Sequence, residues 1–168
     1  MGCLKKFMKK FFFLILPDIR SCHNVGAMFR TADACGVDQI FLVGYTPHPP
    51  RKEIDKVSLG AEKSVKWKPY KNLKTLVNSL KKKNIAVIGL EKSEQSVPLE
   101  TFFFKNIFDK HVGVALVVGN EVEGIAPDIL SLCDAVIHIS MYGKKESLNV
   151  SIAGGIALYE IQKQRTLF

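Results

Sequence analysis

A chain of 168 residues, 47% of them hydrophobic, is long enough for one domain with a sizeable hydrophobic core and too short for two domains of typical size. Its 24 Lys and Arg residues against 16 Asp and Glu give a formal net charge of +8. This charge favours a polyanionic partner, with a merely solvated basic surface as an equal alternative. The sequence contains neither a G-x-G-x-x-G fingerprint nor a phosphate loop ending in Gly-Lys-Ser/Thr, which counts against dinucleotide and nucleoside triphosphate folds.

The cysteines form no C-x-x-C pair and show no metal-ligand spacing with the histidines, so we expect no metal site. The residues concerned are Cys3, Cys22, Cys35, Cys133, His23, His48, His111 and His138. A large apolar fraction with few cysteines is unlike a disulfide scaffold. We therefore expect a protein of the reducing cytoplasm.

The N-terminal residues 1–16 mix lysines with an apolar run and superficially resemble a signal peptide. The apolar run, residues 11–16, is too short for that role, and Pro17 and Asp18 after it predict a turn rather than a cleavage site. These residues are interpreted as a buried first strand. Lys6 stands where myristoylation needs Ser or Thr, and no run of roughly 18 apolar residues predicts a membrane span.

Apolar runs of strand length recur along the chain, with helical patterns between several of them. They cover residues 11–16, 39–43, 85–90, 112–118 and 135–139. This alternation predicts an α/β fold with a mostly parallel sheet covered by helices on both faces. We find no repeat or linker, so residues 1–168 are expected to form a single domain.

The first helix is predicted from a cap at Asn24 to Cys35. Its apolar stripe comprises Val25, Met28, Phe29, Ala32 and Cys35, and Arg30 lies on the opposite side. Residues 45–55, with three prolines, predict an exposed loop of a kind that often touches substrate. A further helix is expected from a cap at Asn72 to a lysine run at residues 81–83.

The last helix, from Leu148 to about Arg165, is apolar on two sides. One side carries Leu148, Ile152 and Tyr159, and the other carries Val150, Ala157 and Ile161. One side can cover the sheet, and the other, with Gly154 nearby, needs a second partner. We predict a homodimer through this helix, with the face around Val150, Ala157 and Ile161 as the contact.

Three polar motifs each follow a predicted strand. They are NVGAMFRTAD at residues 24–33, VVGNEVEG at residues 117–124 and ISMYGKKESLNV at residues 139–150. A helix N-terminus after a strand is a natural anion site, and glycines let a loop backbone approach a ligand closely. Each motif is a weak signal when taken alone.

In this order, the three motifs resemble those of the SpoU-type (TrmH-like) RNA ribose 2'-O-methyltransferases of the SPOUT superfamily. The resemblance runs from about residue 16 to residue 160 and is specific, because three separate blocks match in order. It implies a deep C-terminal trefoil knot, S-adenosylmethionine as the cofactor, and transfer of its methyl group to a ribose 2'-hydroxyl of RNA. Many members of this family carry an N-terminal RNA-binding extension, but here the first strand begins close to residue 1, so we expect no separate N-terminal RNA-binding domain. Whether tRNA or rRNA is the substrate stays open.

The resemblance also implies the site residues. The catalytic set is Asn24, Arg30, Glu121, Ser147 and Asn149, and the cofactor-binding set is Leu90, Gly119, Ile139, Ser147 and Leu148. One departure is Ser140, where the family often has proline. Losing the fixed φ of proline should loosen this loop modestly.

We expect Arg30 to stabilise the developing alkoxide electrostatically, since arginine ordinarily stays protonated, although a role as base stays open. Asn24 and Asn149 would orient Arg30 or the ribose, and Glu121 is predicted to pair with Arg30. The alternatives are that both asparagines are only helix caps and that Arg30 and Glu121 form an unimportant surface pair. At the level of the whole chain, the alternatives are a non-catalytic RNA-binding protein and an enzyme with a nicotinamide or phosphate cofactor.

Overall fold

The computed structural model describes residues 10–166, which form one seven-stranded sheet with helices on both faces. The strands are β1 (Phe11–Pro17), β2 (Gln39–Val43), β3 (Trp67–Tyr70), β4 (Ile85–Leu90), β5 (Val97–Pro98), β6 (Gly113–Val118) and β7 (Ala135–His138). The helices are α1 (Cys22–Ala34), α2 (Lys52–Ser58), α3 (Ala61–Ser64), α4 (Leu73–Lys82), α5 (Lys105–Lys110), α6 (Pro127–Leu130) and α7 (Val150–Arg165), with a short 3₁₀ helix at Leu99–Thr101.

The strand order is β3-β2-β1-β6-β4-β7-β5, and all the paired strands run parallel. All residues of β4 and β6 are buried, as expected for strands covered on both faces. The predicted fold class and all five predicted strands are confirmed, with ends that differ by at most one residue.

The sequence did not predict the two edge strands of the sheet. β3 contains Pro69, which cannot donate to a ladder and is tolerated because the strand has a neighbour on one side only. β5 comprises two residues, too few for any periodicity. Both strands exist because a neighbouring strand pairs with them.

Separate hydrophobic cores cover the two faces of the sheet. One contains the apolar faces of α1 and α7, and the other contains that of α4. The predicted stripe of α1 is confirmed: Val25, Met28, Phe29, Ala32 and Cys35 are all buried, and Arg30 is exposed. Because the sheet is parallel, the loops that follow its strands meet at one edge, and the three motifs lie there.

The start of α1 differs from the prediction. Ser21, not Asn24, is the N-cap, and its Oγ accepts a hydrogen bond from the backbone N of Asn24 at 3.2 Å. A serine hydroxyl three residues before a helical N–H has the reach that this cap needs. The side chain of Asn24 is therefore free to make contacts outside its own helix.

Two other predicted boundaries have different outcomes. The loop predicted at residues 45–55 is shorter than expected, because α2 already begins at Lys52. This mostly polar helix buries Ile54 in the core. The helix predicted after Asn72 is confirmed, since the Oδ1 of Asn72 accepts from the backbone N of Thr75 at 2.9 Å and basic residues occupy the last turn.

The inward and outward faces of α7 were predicted the wrong way round. Ala157 and Ile161 are fully buried in the chain's own core, and Val150 packs against it. Gly154 allows this approach, because a Cβ there would lie only 2.9 Å from the Sδ of Met28. The outward face instead carries Ile152, Ile156 and Tyr159, whose exposed fractions are 55%, 43% and 67%.

Several predictions concern residues outside the described range, namely the resemblance to a signal peptide at the extreme N-terminus, Lys6 and Cys3. Cys22, Cys35 and Cys133 are free thiols. Within residues 10–166, no helix is long and apolar enough to cross a membrane, and no group of three or more His, Cys, Asp or Glu side chains is arranged to hold a metal ion. The trefoil knot stays a prediction, because strand order alone does not define how one loop threads through another.

Candidate functional site

A cavity of about 410 Å³ lies where the loops after β4, β6 and β7 meet. These three strands are neighbours in the sheet, in the order β6-β4-β7, so their carboxyl ends converge. All five residues predicted to bind the cofactor line this cavity: Leu90, Gly119, Ile139, Ser147 and Leu148. Residues that are up to 58 positions apart in sequence are thus brought to one place by the parallel sheet.

The walls of this cavity are mixed in character. Apolar side chains include Val118 and Ala153 beside the predicted leucines and isoleucine, and charged side chains include Glu91 and Lys92. Gly119 leaves no room for a side chain, because a Cβ there would lie 2.7 Å from the Cα of Gly124. A cleft that combines apolar side chains, polar groups and closely approaching backbone is suited to a small organic ligand with both apolar and polar parts.

Asn24, Glu121 and Asn149 form a continuous hydrogen-bonded chain beside the cavity. The Nδ2 of Asn24 donates to Glu121 Oε1 at 3.0 Å, and the Nδ2 of Asn149 donates to Asn24 Oδ1 at 3.1 Å. The three side chains come from the three separate sequence motifs. Glu121 and Asn149 also line the cavity, so this chain borders the same space.

Glu121 has a second role at the start of α1. Its carboxylate lies 3.2 Å from the backbone N of Arg20 and 3.4 Å from that of Ser21, and accepts hydrogen bonds from both. Partial burial raises the pKa of Glu121, but the donors from Arg20, Asn24 and Ser21 together outweigh it and hold the pKa below its ordinary value. The carboxylate is therefore ionised at neutral pH and anchors the N-terminus of α1.

The predicted pair of Arg30 and Glu121 is wrong. Arg30 is exposed on α1 and makes no hydrogen bond or ion pair with any residue from 10 to 166. It lies six residues after Asn24, roughly 9 Å further along the helix axis. Glu121 instead accepts from the backbone N–H groups of Arg20 and Ser21, immediately before the first residue of the helix, where the helix dipole also favours a carboxylate.

The third motif supplies Ser147 and Asn149. Asn149 is the N-cap of α7, since its Oδ1 accepts from the backbone N of Ser151 at 2.8 Å, and its Nδ2 is left to bind Asn24. The interpretation of Asn149 as a helix cap is confirmed, and its role in the site stays a prediction. Ser147 lines the cavity, and its hydroxyl has no hydrogen-bond partner within the described part of the chain.

Two glutamates were not predicted from the sequence: Glu91 lines the cavity, and Glu100 lines a separate groove beside α7. Glu100 accepts hydrogen bonds from the hydroxyls of Ser140 and Tyr142, and the bond from Ser140 is the main reason why the pKa of Glu100 is lowered. Ser140 thus has a partner that a proline could not have, against the expectation of a merely looser loop. Glu91 lies between two glycines of the second motif. Neither contact has a sequence signal, because the partners are 40 and 34 positions apart.

The sequence model of the SpoU rRNA methylase family matches residues 12–159. The chain belongs to this family. The match includes all three motifs and every residue of the predicted site, and the seven-stranded sheet described above is the SpoU family fold.

Relatives of the chain in the SpoU family are named as tRNA or rRNA methyltransferases. A putative TrmH family tRNA/rRNA methyltransferase of Bacillus subtilis is 32% identical over 154 residues, which are 92% of this chain and 59% of that protein. A tRNA (guanosine(18)-2'-O)-methyltransferase of Aquifex aeolicus is 34% identical over 149 residues, covering 88% of this chain and 67% of that protein.

A solved structure of the same fold is that of an S-adenosylmethionine-bound rRNA methyltransferase from Sinorhizobium meliloti. It superimposes with a TM-score of 0.83 at 27% identity, over 92% of this chain and 57% of that one. This chain therefore spans less than two thirds of the length of the Bacillus and Sinorhizobium proteins.

Proposed function

We propose that this chain is an S-adenosylmethionine-dependent RNA methyltransferase that acts on a ribose 2'-hydroxyl of tRNA or rRNA. The observation that carries the proposal is the hydrogen-bonded chain of Asn24, Glu121 and Asn149 at the mouth of the cavity. It joins the three motifs into one site. The names of the relatives from Bacillus and Aquifex support the reaction, and the Sinorhizobium structure supports the cofactor.

The residues around the cavity fit such a cofactor. A volume of about 410 Å³ is within the range of roughly 300–1,000 Å³ that is usual for ligand sites. Leu90, Ile139 and Leu148 would pack against the purine ring and its ribose, and Gly119 would bring its backbone close to them. Bound there, S-adenosylmethionine supplies a methyl group that is already activated as part of a sulfonium.

A ribose hydroxyl is a weak nucleophile, so the protein must orient it and stabilise the charge that develops on its oxygen. Each of the amide groups of Asn24 and Asn149 uses one of its two N–H bonds within the chain of hydrogen bonds. The remaining N–H groups are available to orient the ribose. Glu121, by holding Asn24, fixes the direction of these donors.

Arg30 is proposed to bind the RNA and stabilise the developing alkoxide. Its guanidinium stays protonated, so the hydroxyl proton would leave to phosphate or water rather than to Arg30. Since Arg30 has no partner within residues 10–166, its full set of donors is available to an incoming phosphate and hydroxyl.

The partners proposed are RNA and a second copy of this chain. Ile152, Ile156 and Tyr159 of α7 border an apolar groove of about 550 Å³ together with Thr31 and Leu99. A twofold axis through this face would cover it on both copies at once. Thr31 follows Arg30 on α1, so the dimer contact would begin next to the proposed catalytic arginine. We place the protein in the cytoplasm, where tRNA and rRNA are available and free thiols persist.

Phosphate contacts are proposed for a set of exposed basic residues that pair with no acidic residue of the described chain. They are Arg51, Lys52, Lys56 and Lys144. Lys63 does not join them, because it lies beside Gln39 and Trp67, the first residues of β2 and β3, at the end of the sheet opposite to the site. Arg51, Lys52 and Lys56 lie at the start of α2 or within it, and α2 packs against α1. RNA held there would be close to Arg30.

The proposal is tested by nucleotide-resolution mapping of ribose methylation in total RNA from cells with and without the gene. A mark lost without the gene names both the RNA and the position, and the purified protein with S-adenosylmethionine should restore it to the unmethylated RNA. Binding of cofactor and RNA without transfer would identify a non-catalytic RNA-binding protein. Calorimetric binding of a nicotinamide cofactor in place of S-adenosylmethionine would contradict the proposal.

A further inference from the structure

The carboxylate of Glu91 lies inside the loop of the second motif, which we call the 119–125 loop. Glu91 directly follows β4, whereas the loop follows β6, the neighbouring strand. Glu91 Oε2 accepts a hydrogen bond from the backbone N of Ile125 at 2.9 Å. The carboxylate thus connects the last residue of the loop to the end of β4.

The glycines of this loop make room for Glu91. A Cβ on Gly119 would lie 2.8 Å from Glu91 Oε2, and a Cβ on Gly124 would collide with the same carboxylate. Gly124 also has a φ of +67°, a backbone conformation that residues with a Cβ rarely adopt. These glycines were expected to make room for a ligand, but in the structure the side chain closest to the Cβ positions of both is that of Glu91.

The loop is otherwise a small closed hairpin. The backbone groups of Asn120 and Gly124 bond to each other at 3.2 and 3.3 Å, and the Oδ1 of Asn120 accepts from the backbone N of Val122 and Glu123. A hairpin that is rigid within itself moves as a unit. Its orientation therefore depends on what holds its base, and Glu91 binds there.

Glu121 is at the far side of the same hairpin and holds both Asn24 and the start of α1. We infer that Glu91 is a positioning residue, whose carboxylate oxygen fixes the 119–125 loop so that Gly119 faces the cavity and Glu121 reaches α1. Its effect on methyl transfer rests on the proposed function, whereas its effect on the loop does not.

The role needs an acceptor oxygen at the end of a side chain of this length. Glu91→Gln retains a carbonyl oxygen that can accept from Ile125, whereas Glu91→Ala retains none and Glu91→Asp is one methylene too short. Glu94→Ala is a matched control, because Glu94 is an exposed glutamate three residues further along that makes no hydrogen bond or ion pair with the described residues. It removes the same charge and leaves the hydrogen bond.

Amide hydrogen exchange of the free protein, measured by NMR, tests the loop directly. In Glu91→Ala, exchange at Asn120, Gly124 and Ile125 should accelerate by at least tenfold, while Leu116 in the middle of β6 stays protected. Glu91→Gln and Glu94→Ala should match the wild type. Unchanged loop exchange in Glu91→Ala would overturn the inference, as would equal acceleration in Glu91→Gln.

Calorimetry with S-adenosylmethionine and single-turnover transfer form the second arm. Glu91→Ala should bind the cofactor about tenfold more weakly, equivalent to roughly 1.4 kcal/mol, and Glu91→Gln should recover most of this loss. If the wild type binds no S-adenosylmethionine, the proposed function fails while the exchange result still decides the role of Glu91. If Glu91→Ala unfolds globally, Glu91→Asp decides instead: a protected loop in that variant would overturn the inference, and selective loss of loop protection would support it.

Discussion

The side chains of Asn24 and Asn149 are joined by a hydrogen bond of 3.1 Å, although they are 125 positions apart in the sequence. Asn24 is in the first turn of α1 and Asn149 caps α7, so the bond joins the N-termini of two helices that pack on the same face of the sheet. Both helix starts are also beside the cavity. A small shift of either helix would therefore alter the proposed site.

Asn149 has two roles that a pair of substitutions separates. Asn149→Asp keeps an oxygen to cap α7 but loses the N–H that binds Asn24, so stability should be nearly unchanged while methyl transfer falls by at least tenfold. Asn149→Ala should lose transfer and also about 1 kcal/mol of unfolding free energy. Urea denaturation and single-turnover transfer measure the two effects.

Asn72→Ala is the control for the loss of a cap. Asn72 caps α4, which packs on the opposite face of the sheet from α1 and α7. This variant should lose a similar free energy of unfolding and keep normal transfer. Normal transfer by Asn149→Asp would show that the bond to Asn24 is not needed for the reaction.

The sequence predicted the interior of the fold well because buried parallel strands are long apolar runs with clear ends. It did not predict β3 and β5, since a strand with Pro69 and a strand of two residues form only through pairing. For α7, the periodicity showed two apolar faces but not which one faces the core. Gly154 decides this, because it lets the helix approach Met28 on that side.

The five residues predicted to bind the cofactor were correctly expected to lie together, because they follow strands that are adjacent in the sheet. A pair of Arg30 and Glu121 was expected because their charges are opposite, but opposite charges do not show towards which donors a carboxylate points in the folded chain. The free N–H groups at the start of α1 compete for the same carboxylate and are closer to it. Glu91 was missed because its hydrogen-bond partners are backbone N–H groups, which almost every residue type has, so the sequence does not show where they lie.

Assembly through α7 is tested by placing a charge on its outward face. Ile156→Glu should convert a homodimer into a monomer, because burying an unpaired carboxylate in an apolar contact is costly. Asn78→Glu, on the exposed side of α4, adds the same charge away from the groove and should stay dimeric. Sedimentation at micromolar concentration distinguishes the two states, and a wild type that sediments as an 18.8 kDa monomer would refute the dimer.

RNA affinity should decrease steeply with salt, because the proposed contacts of Arg51 and Lys56 are to phosphates. Replacing either residue with alanine should flatten the slope of log affinity against log salt by about 0.7–0.9. Lys83→Ala is the control, because Lys83 is exposed just before β4, at the end of the sheet opposite to the site. Affinity that is insensitive to salt would rule out phosphate contacts as its source.

Glu121 should make the folded protein less stable in acid. Its pKa is lowered in the folded state, so its contribution to stability is fully present above the unfolded value of about 4.3 and is lost as the pH falls through the folded pKa. The difference in unfolding free energy between the wild type and Glu121→Gln should therefore be largest at pH 6–7 and shrink below about pH 4. Urea denaturation across this range measures it, and a constant difference would show that the carboxylate charge is not involved.

The role of Arg30 is decided by two substitutions at one exposed position. If its planar fork holds a phosphate and a hydroxyl together, Lys cannot replace it, because an ammonium lacks the bidentate geometry. Arg30→Lys should retain the fold and the affinity for S-adenosylmethionine, since Arg30 lies off the buried stripe of α1 and does not line the cavity. Transfer should fall by about 100-fold or more, the loss typical of one preorganised electrostatic donor, and Arg30→Ala should be at least as impaired.

Single-turnover transfer, measured together with calorimetric cofactor affinity, separates the effect of Arg30 on chemistry from its effect on binding. Arg51→Lys, another exposed arginine, should retain transfer, whereas near-normal turnover by Arg30→Lys would refute the fork and near-normal turnover by Arg30→Ala would remove Arg30 from the active site.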